Sequence, residues 1–167
     1  MRRLSIMVAL AVTGLPTVQA LATPGDGLPL AANVVVEKQA RRLTVFDGQG
    51  QAMRVISGIQ LGDAPLGHKR FQGDERTPEG RYAIDWGNPD SSYYLSLHIS
   101  YPNAQDESYA ASFGRSAGGM IMIHGQPNGY AGRVEGDWTD GCIALANEEI
   151  EYLWQVVPDG TVIDILP

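Results

Sequence analysis

Cysteine is almost absent from this 167-residue chain: Cys142 is the only one. A lone thiol excludes an intramolecular disulfide, so stability must come from packing. Histidine is scarce too, with His68, His98 and His124 alone, and neither His-x-His nor His-Glu-x-x-His occurs. Spacings of 30, 26 and 18 residues between these three and Cys142 match no metal-ligand motif, so no metal and no other cofactor is expected. Basic clusters are missing: 12 Lys and Arg face 19 acids, for a net charge of −7. That balance argues against nucleic acid or an anionic membrane as a partner. There is no GxGxxG or Walker pattern, so Gly118-Gly119 reads as a turn. No repeat or low-complexity tract is visible. The apolar run from Leu4 to Leu15 spans 12 residues, short of the roughly 20 that cross a membrane.

That run follows Arg2 and Arg3 and precedes Val18-Gln19-Ala20, so residues 1–20 read as a secretory signal, with Ala20-Leu21-Ala22 as a second cleavage site. An exported, periplasmic location follows as the expectation, without stable membrane insertion. Removing the first 20 of 167 residues leaves 147, and losing two arginines takes the net charge from −7 to −9. Residues 21–32, with Pro24, Gly25, Gly27 and Pro29, read as a short linker. Residues 33–167 are then one domain, long enough to bury a core.

Within it, Val34–Lys38, Arg41–Phe46 and Ala52–Ile59 read as a β-meander, turned at Asp47-Gly48-Gln49-Gly50. Residues 61–80 are a loop rich in Gly, Pro and charge. Arg81–Trp86, Tyr93–Ser100, Met120–Ile123 and Thr161–Leu166 read as strands. Asp106–Gly114 reads as a short helix. Asn147 is the expected N-cap of a second, with Ile150, Leu153, Trp154 and Val157 at helical spacing before Pro158. The sum is an α+β, mainly β domain of seven or eight strands and two short helices. The absence of βαβ alternation argues against a doubly wound sheet.

Cys142 sits in Trp138-Thr139-Asp140-Gly141-Cys142-Ile143-Ala144, eighteen residues after His124-Gly125. A thiol attacks carbonyls as thiolate, and near pKa 8.5 it needs help from an imidazole or from backbone donors. A strand–loop–strand hairpin of this length would set His124 beside Cys142. Gly141 lets the backbone approach a substrate, and its amide with that of Cys142 can point at an oxyanion. The Gly125 carbonyl can hold the imidazole tautomer, as an aspartate does in a serine-protease triad.

These residues resemble the catalytic motif of the YkuD-type L,D-transpeptidases, written His, then Ser/Thr-His-Gly-Cys. Gly73-Asp74-Glu75-Arg76-Thr77-Pro78-Glu79-Gly80-Arg81-Tyr82 resembles the family's loop and strand. Tyr93–Asn103 and the Ala after Cys-Ile are similar to the YafK-like branch. The resemblance implies a β-sandwich or barrel. It also implies that Cys142 attacks a peptidoglycan stem peptide between meso-diaminopimelate and D-Ala, with His124 as base. Gly125 would orient His124, and the amides near Asp140, Gly141 and Cys142 would hold the oxyanion. An amine acceptor then gives a cross-link or an attached partner. The alternatives are a YafK-like hydrolase releasing a lipoprotein or D-amino acid, and a silent peptidoglycan-binding module. Two positions depart from the pattern: Asp140 replaces the usual His, and Ala144 the usual Arg or Asn. Asp140 is open to two roles, a turn residue or a side chain in the site. Arg81, His98, Tyr101 and Trp138, with Arg115 and Asn103, are candidates for binding carboxylates or sugar.

Overall fold

The computed structural model describes residues 27–167. The signal segment and residues 21–26 of the linker lie outside the described residues. Eight strands and two helices follow in order: β1 (Asn33–Glu37), β2 (Arg42–Phe46), β3 (Ala52–Ser57), β4 (Gly80–Ser91), β5 (Tyr94–Ile99), α1 (Ala104–Ser112), β6 (Ile121–His124), β7 (Ile143–Ala144), α2 (Asn147–Val156) and β8 (Thr161–Leu166). The expected mainly β architecture is present as one sheet in the order β3-β2-β1-β8-β4-β5-β6-β7.

The first three strands form the antiparallel meander, and the Asp47 carboxylate ties its turn by accepting from the amides of Gln49 and Gln51. β8 returns to lie parallel to β1, with Asn33 opposite Val162. Past β3 the chain reaches the far edge of the sheet. Gln60 exchanges backbone bonds with Ala144 of β7, at 3.0 and 2.8 Å, and Gly62 bridges Thr139. The two ends of the strand order therefore meet, and the sheet curls into a half-barrel closed at this seam.

The core follows from alternation. Val34 and Val36 of β1, Ile84 of β4, Ile99 of β5, Ile123 of β6 and Ile163 of β8 are fully buried. Each contributes roughly 1.5–3 kcal/mol by leaving water. Ile150, Leu153 and Val156 form the buried stripe of α2, which packs on β5 and β6. Ala31 is already buried, its amide bonded to the Val156 carbonyl.

Three local expectations change. β4 runs to Ser91 rather than stopping at Trp86, because bulges between Ile84 and Gly87 and between Asn88 and Ser91 absorb the Gly-Asn-Pro-Asp stretch. α1 begins at Ala104, capped by Asn103, whose side chain accepts from the amides of Gln105 and Asp106 while Asp106 accepts from Asn103. The cap of α2 is Ala146, not Asn147. The Glu149 carboxylate reaches back to the Ala146 amide at 2.8 Å, and Asn147 is freed for another contact.

The 61–80 loop is fastened by buried charge. Lys38 Nζ donates to the carbonyls of Gly67 and Thr77 and to Glu79, at 2.6, 2.9 and 2.8 Å. His68 accepts from the Glu79 amide on Nδ1, so its Nε2–H donates to Asp106 at 2.9 Å, where Tyr82 also donates. Among the described residues no helix is long and apolar enough to cross a membrane.

Candidate active site

β6 carries both ends of the site. Its last residue is His124, in register with Ser96 of β5 and Ala144 of β7. Cys142 lies one residue before β7, with Sγ against the β6 backbone, 3.4 Å from the Met122 amide and 3.7 Å from the Met120 carbonyl. β6 and β7 run parallel, Ile123 beside Ile143. This corrects the expected hairpin: the 125–142 loop crosses over and brings the second strand back in the same direction. The two stems are adjacent nonetheless. Imidazole and thiol line one cavity of about 580 Å³, with Tyr93, Trp138, Thr139 and Asp140 on its wall.

His124 is buried and held in one tautomer. Its Nδ1 lies 2.7 Å from the Gly125 carbonyl, which can only accept, so the proton is on Nδ1 and the Nε2 lone pair is available. Tyr93 and Trp138 pack on the ring, with centroids 4.6 and 5.6 Å away. Gly125 itself is fixed by bonds from its amide to the carbonyls of Tyr93 and Leu95. A Cβ there would come within 2.6 Å of Asn147 Oδ1, which accepts from the Gln126 amide at 2.9 Å. The residue expected to cap α2 instead locks the turn behind the histidine.

Thr139 shapes the turn that leads into Cys142. Its hydroxyl donates to the Cys142 carbonyl at 2.7 Å and accepts from the Gly141 amide at 3.2 Å. The Gly141 amide, expected to face an oxyanion, is thus engaged within the turn, which leaves the Cys142 amide as the donor beside the thiol. Gly141 has φ +128°, and a Cβ would sit 2.5 Å from the Arg76 carbonyl. Only glycine lets the 61–80 loop lie against the backbone at Cys142.

Burial pushes the Cys142 thiol up. The Met122 amide opposes this, the Asp140 charge reinforces it, and the Lys69 charge counters it, for a net rise. Burial lowers His124, against a smaller opposite effect of the Gly125 carbonyl. Both shifts favour the neutral forms, thiol and imidazole, over thiolate and imidazolium.

The remaining sequence candidates scatter. Trp138 lines the cavity, its Nε1 buried without a protein partner among the described residues. Asp140 is exposed on the rim. Arg81 is not in the cavity; it forms a fork to Asp164 on the neighbouring strand at 2.7 and 3.0 Å. His98 stacks on Trp86 and pairs with Asp85, also outside it. Tyr101 is a core residue whose hydroxyl donates to the Ala117 carbonyl. Arg115 covers the Phe71 ring, and Asn103 is the α1 cap. Sequence reasoning missed Tyr93, Thr139, Asn147 and Lys69. Lys69 and Tyr93 belong to the quoted stretches or adjoin them, but nothing in their identity says which way they face.

The curled, mainly β half-barrel thus sets a glycine-preceded cysteine and a carbonyl-held histidine on the wall of one cavity. Residues 31–165 match the model of the YkuD L,D-transpeptidase catalytic domain, and the chain belongs to that family. It is 28% identical over 133 residues to YafK of Escherichia coli (strain K12), covering 77% of this chain and 48% of YafK. Its fold is similar to Pgp2, the helical cell shape determining protein of Campylobacter jejuni, with a TM-score of 0.64, 28% identity, and coverage of 81% and 47% of the two chains. The L,D-transpeptidase of Xylanimonas cellulosilytica shares the fold alone, with a TM-score of 0.53, 14% identity, and coverage of 86% and 64%. The chain spans about half the length of YafK and of Pgp2.

Proposed function

We propose that this protein is an exported cysteine acyltransferase acting on meso-diaminopimelate-containing stem peptides of peptidoglycan, through a thioester on Cys142. The observation that carries the reading is that Cys142 and His124 line one cavity, with Nδ1–H spent on the Gly125 carbonyl, which leaves Nε2 as the available base. As Sγ attacks the carbonyl carbon, its proton passes to Nε2, and the Gly125 carbonyl steadies the imidazolium. The Cys142 amide faces the developing oxyanion. Collapse breaks the C–N bond, and Nε2–H protonates the departing amine. The thioester then passes its acyl group to an amine, forming a cross-link or attaching a partner; water in that position gives hydrolysis instead.

The hydrolytic outcome is the second reading, and it is supported by Asp140, which stands where the family pattern has His. The similarity to a cell-shape protein supports a role in wall geometry. The test is a mass-resolved assay with stem tetrapeptide, with and without a D-amino acid acceptor. Cys142→Ala should end turnover while the chain still folds, and a carbapenem should add its mass to Cys142 in the wild type. Full activity of the alanine variant sinks the enzyme reading. Tripeptide and D-Ala alone, with acceptor present, convert it to a hydrolase. Binding without any product leaves a peptidoglycan-binding module.

A further inference from the structure

Two lysines of this chain are buried, and they are used differently. Lys38 spends all three ammonium protons on Gly67, Thr77 and Glu79. Lys69, 3% exposed, donates to Asp74 Oδ1 at 2.9 Å and to the Phe71 carbonyl at 3.3 Å. Its third proton has no protein partner among the described residues, and the side chain lines the Cys142 cavity. Asp74 has other partners besides Lys69. That carboxylate also accepts from the amides of Arg70, Phe71 and Arg76, at 2.6, 3.0 and 3.2 Å. Removing an ammonium from water costs several kcal/mol unless its donors are met. Lys69 is held in place by one turn, with two of its three protons met, and it lines the cavity that holds Cys142.

The charge distribution of the cavity is consistent with this. Lys69 is the one lysine or arginine on its wall, while Glu75 and Asp140 are exposed and acidic. The positive charge is felt at Cys142 Sγ, where it opposes the effect of Asp140. An anion entering this cavity therefore meets one cationic side chain among the described residues, within electrostatic range of the thiol.

We propose that Lys69 is a substrate-carboxylate site of this cavity. It would hold either the terminal carboxylate of the residue leaving from the scissile bond or the one at the side-chain end of diaminopimelate. The proposal rests on the stem-peptide reading above. It adds a specificity residue that selects a peptide with a free carboxylate near the reacting carbonyl, and rejects one whose carboxylate is blocked.

The experiment uses the full chain and three peptides: the stem tetrapeptide, its terminal carboxamide, and its diaminopimelate side-chain carboxamide. Charge-assisted bonds of this kind are worth roughly ten- to a hundredfold in affinity. One of the two amidations should raise the wild-type KM by that factor, and which one identifies the carboxylate. Lys69→Met should raise KM for the parent peptide equally, with a smaller change in kcat, and add nothing on the sensitive carboxamide; Lys69→Arg should restore part of the loss. An unchanged KM in Lys69→Met, or a loss that persists undiminished on both carboxamides, overturns the proposal. Calorimetric binding of the three peptides to Cys142→Ala reads the same preference without turnover and without altering Lys69. Equal binding of all three overturns the proposal. A Lys69-dependent preference in a protein that turns over nothing overturns the enzyme reading and leaves the carboxylate site standing.

Discussion

Replacing Gly141 with alanine tests the claim that backbone contact, not side-chain chemistry, sets the position of the nucleophile. The new Cβ would lie 2.5 Å from the Arg76 carbonyl oxygen at φ +128°. Holding a non-glycine residue in so sparse a region costs about 1–3 kcal/mol, and forcing a close contact about 1–3 kcal/mol more. The sum, roughly 2–6 kcal/mol, corresponds to a fall in melting temperature of about 5–20 °C for a domain of this size. If the turn relaxes instead, Sγ moves with it, and a shift near 1 Å costs about 100-fold in rate. Gly129→Ala is the control. It lies in the loop that links β6 to β7, at φ +78°, with open space around the added carbon, so it carries only the backbone penalty of roughly 1–2 kcal/mol. Melting curves and kcat/KM on stem tetrapeptide should separate the two variants, with activity lost in Gly141→Ala alone. Equal melting and equal activity in the two would refute the argument from contact.

Alkylation of Cys142 by iodoacetamide should show a pH midpoint above the value of about 8.5 of an ordinary thiol, because burial and then Asp140 raise it. Asp140→Asn should bring the midpoint down, and a rate plateau already at pH 5–7 would instead mean a resting thiolate–imidazolium pair. Asn147→Ala strips the Gln126 amide of its acceptor. It should cost about 1–3 kcal/mol in urea titration and lower kcat, whereas Asn147→Asp, keeping an oxygen there, should recover most of both. For Asp74, burial alone would raise the carboxyl, but the amide and Lys69 bonds outweigh it and hold it below its ordinary value. Its stabilising contribution is then complete above about pH 4 and disappears as pH falls through the lowered folded value. The cost of Asp74→Asn, followed by denaturant titration at several pH values, should shrink in that direction; a cost that grows on acidification would contradict it.

The meander, the α2 stripe and the final strand were legible because each is a local pattern: alternation, helical spacing, a turn with Asp and Gly. The Cys142 and His124 motifs were legible because their residue types are rare in this chain. Direction and facing were not. Whether β7 returns parallel or antiparallel to β6 depends on the path of residues 125–142, which no periodicity encodes. Arg81, His98 and Tyr101 have the chemistry of binding residues, but the sheet register sends them to Asp164, Asp85 and the core. Asn147 looked like a cap by type. Glu149 took that role, and only three-dimensional packing brings Asn147 to Gln126. Lys69 was hidden for the opposite reason: a lysine in a charged loop ordinarily points to water.

The seam of the half-barrel has a consequence in time. β7 is two residues long and acquires order from β6 on one flank and from Gln60 on the other. Those partners come from distant parts of the chain, and such non-local pairings form late in folding. β8, the last strand in sequence, must also find β1 before the sheet is continuous enough to curl. The cavity at Cys142 is therefore assembled late: its walls come from segments that meet only when β7 has found both β6 and Gln60.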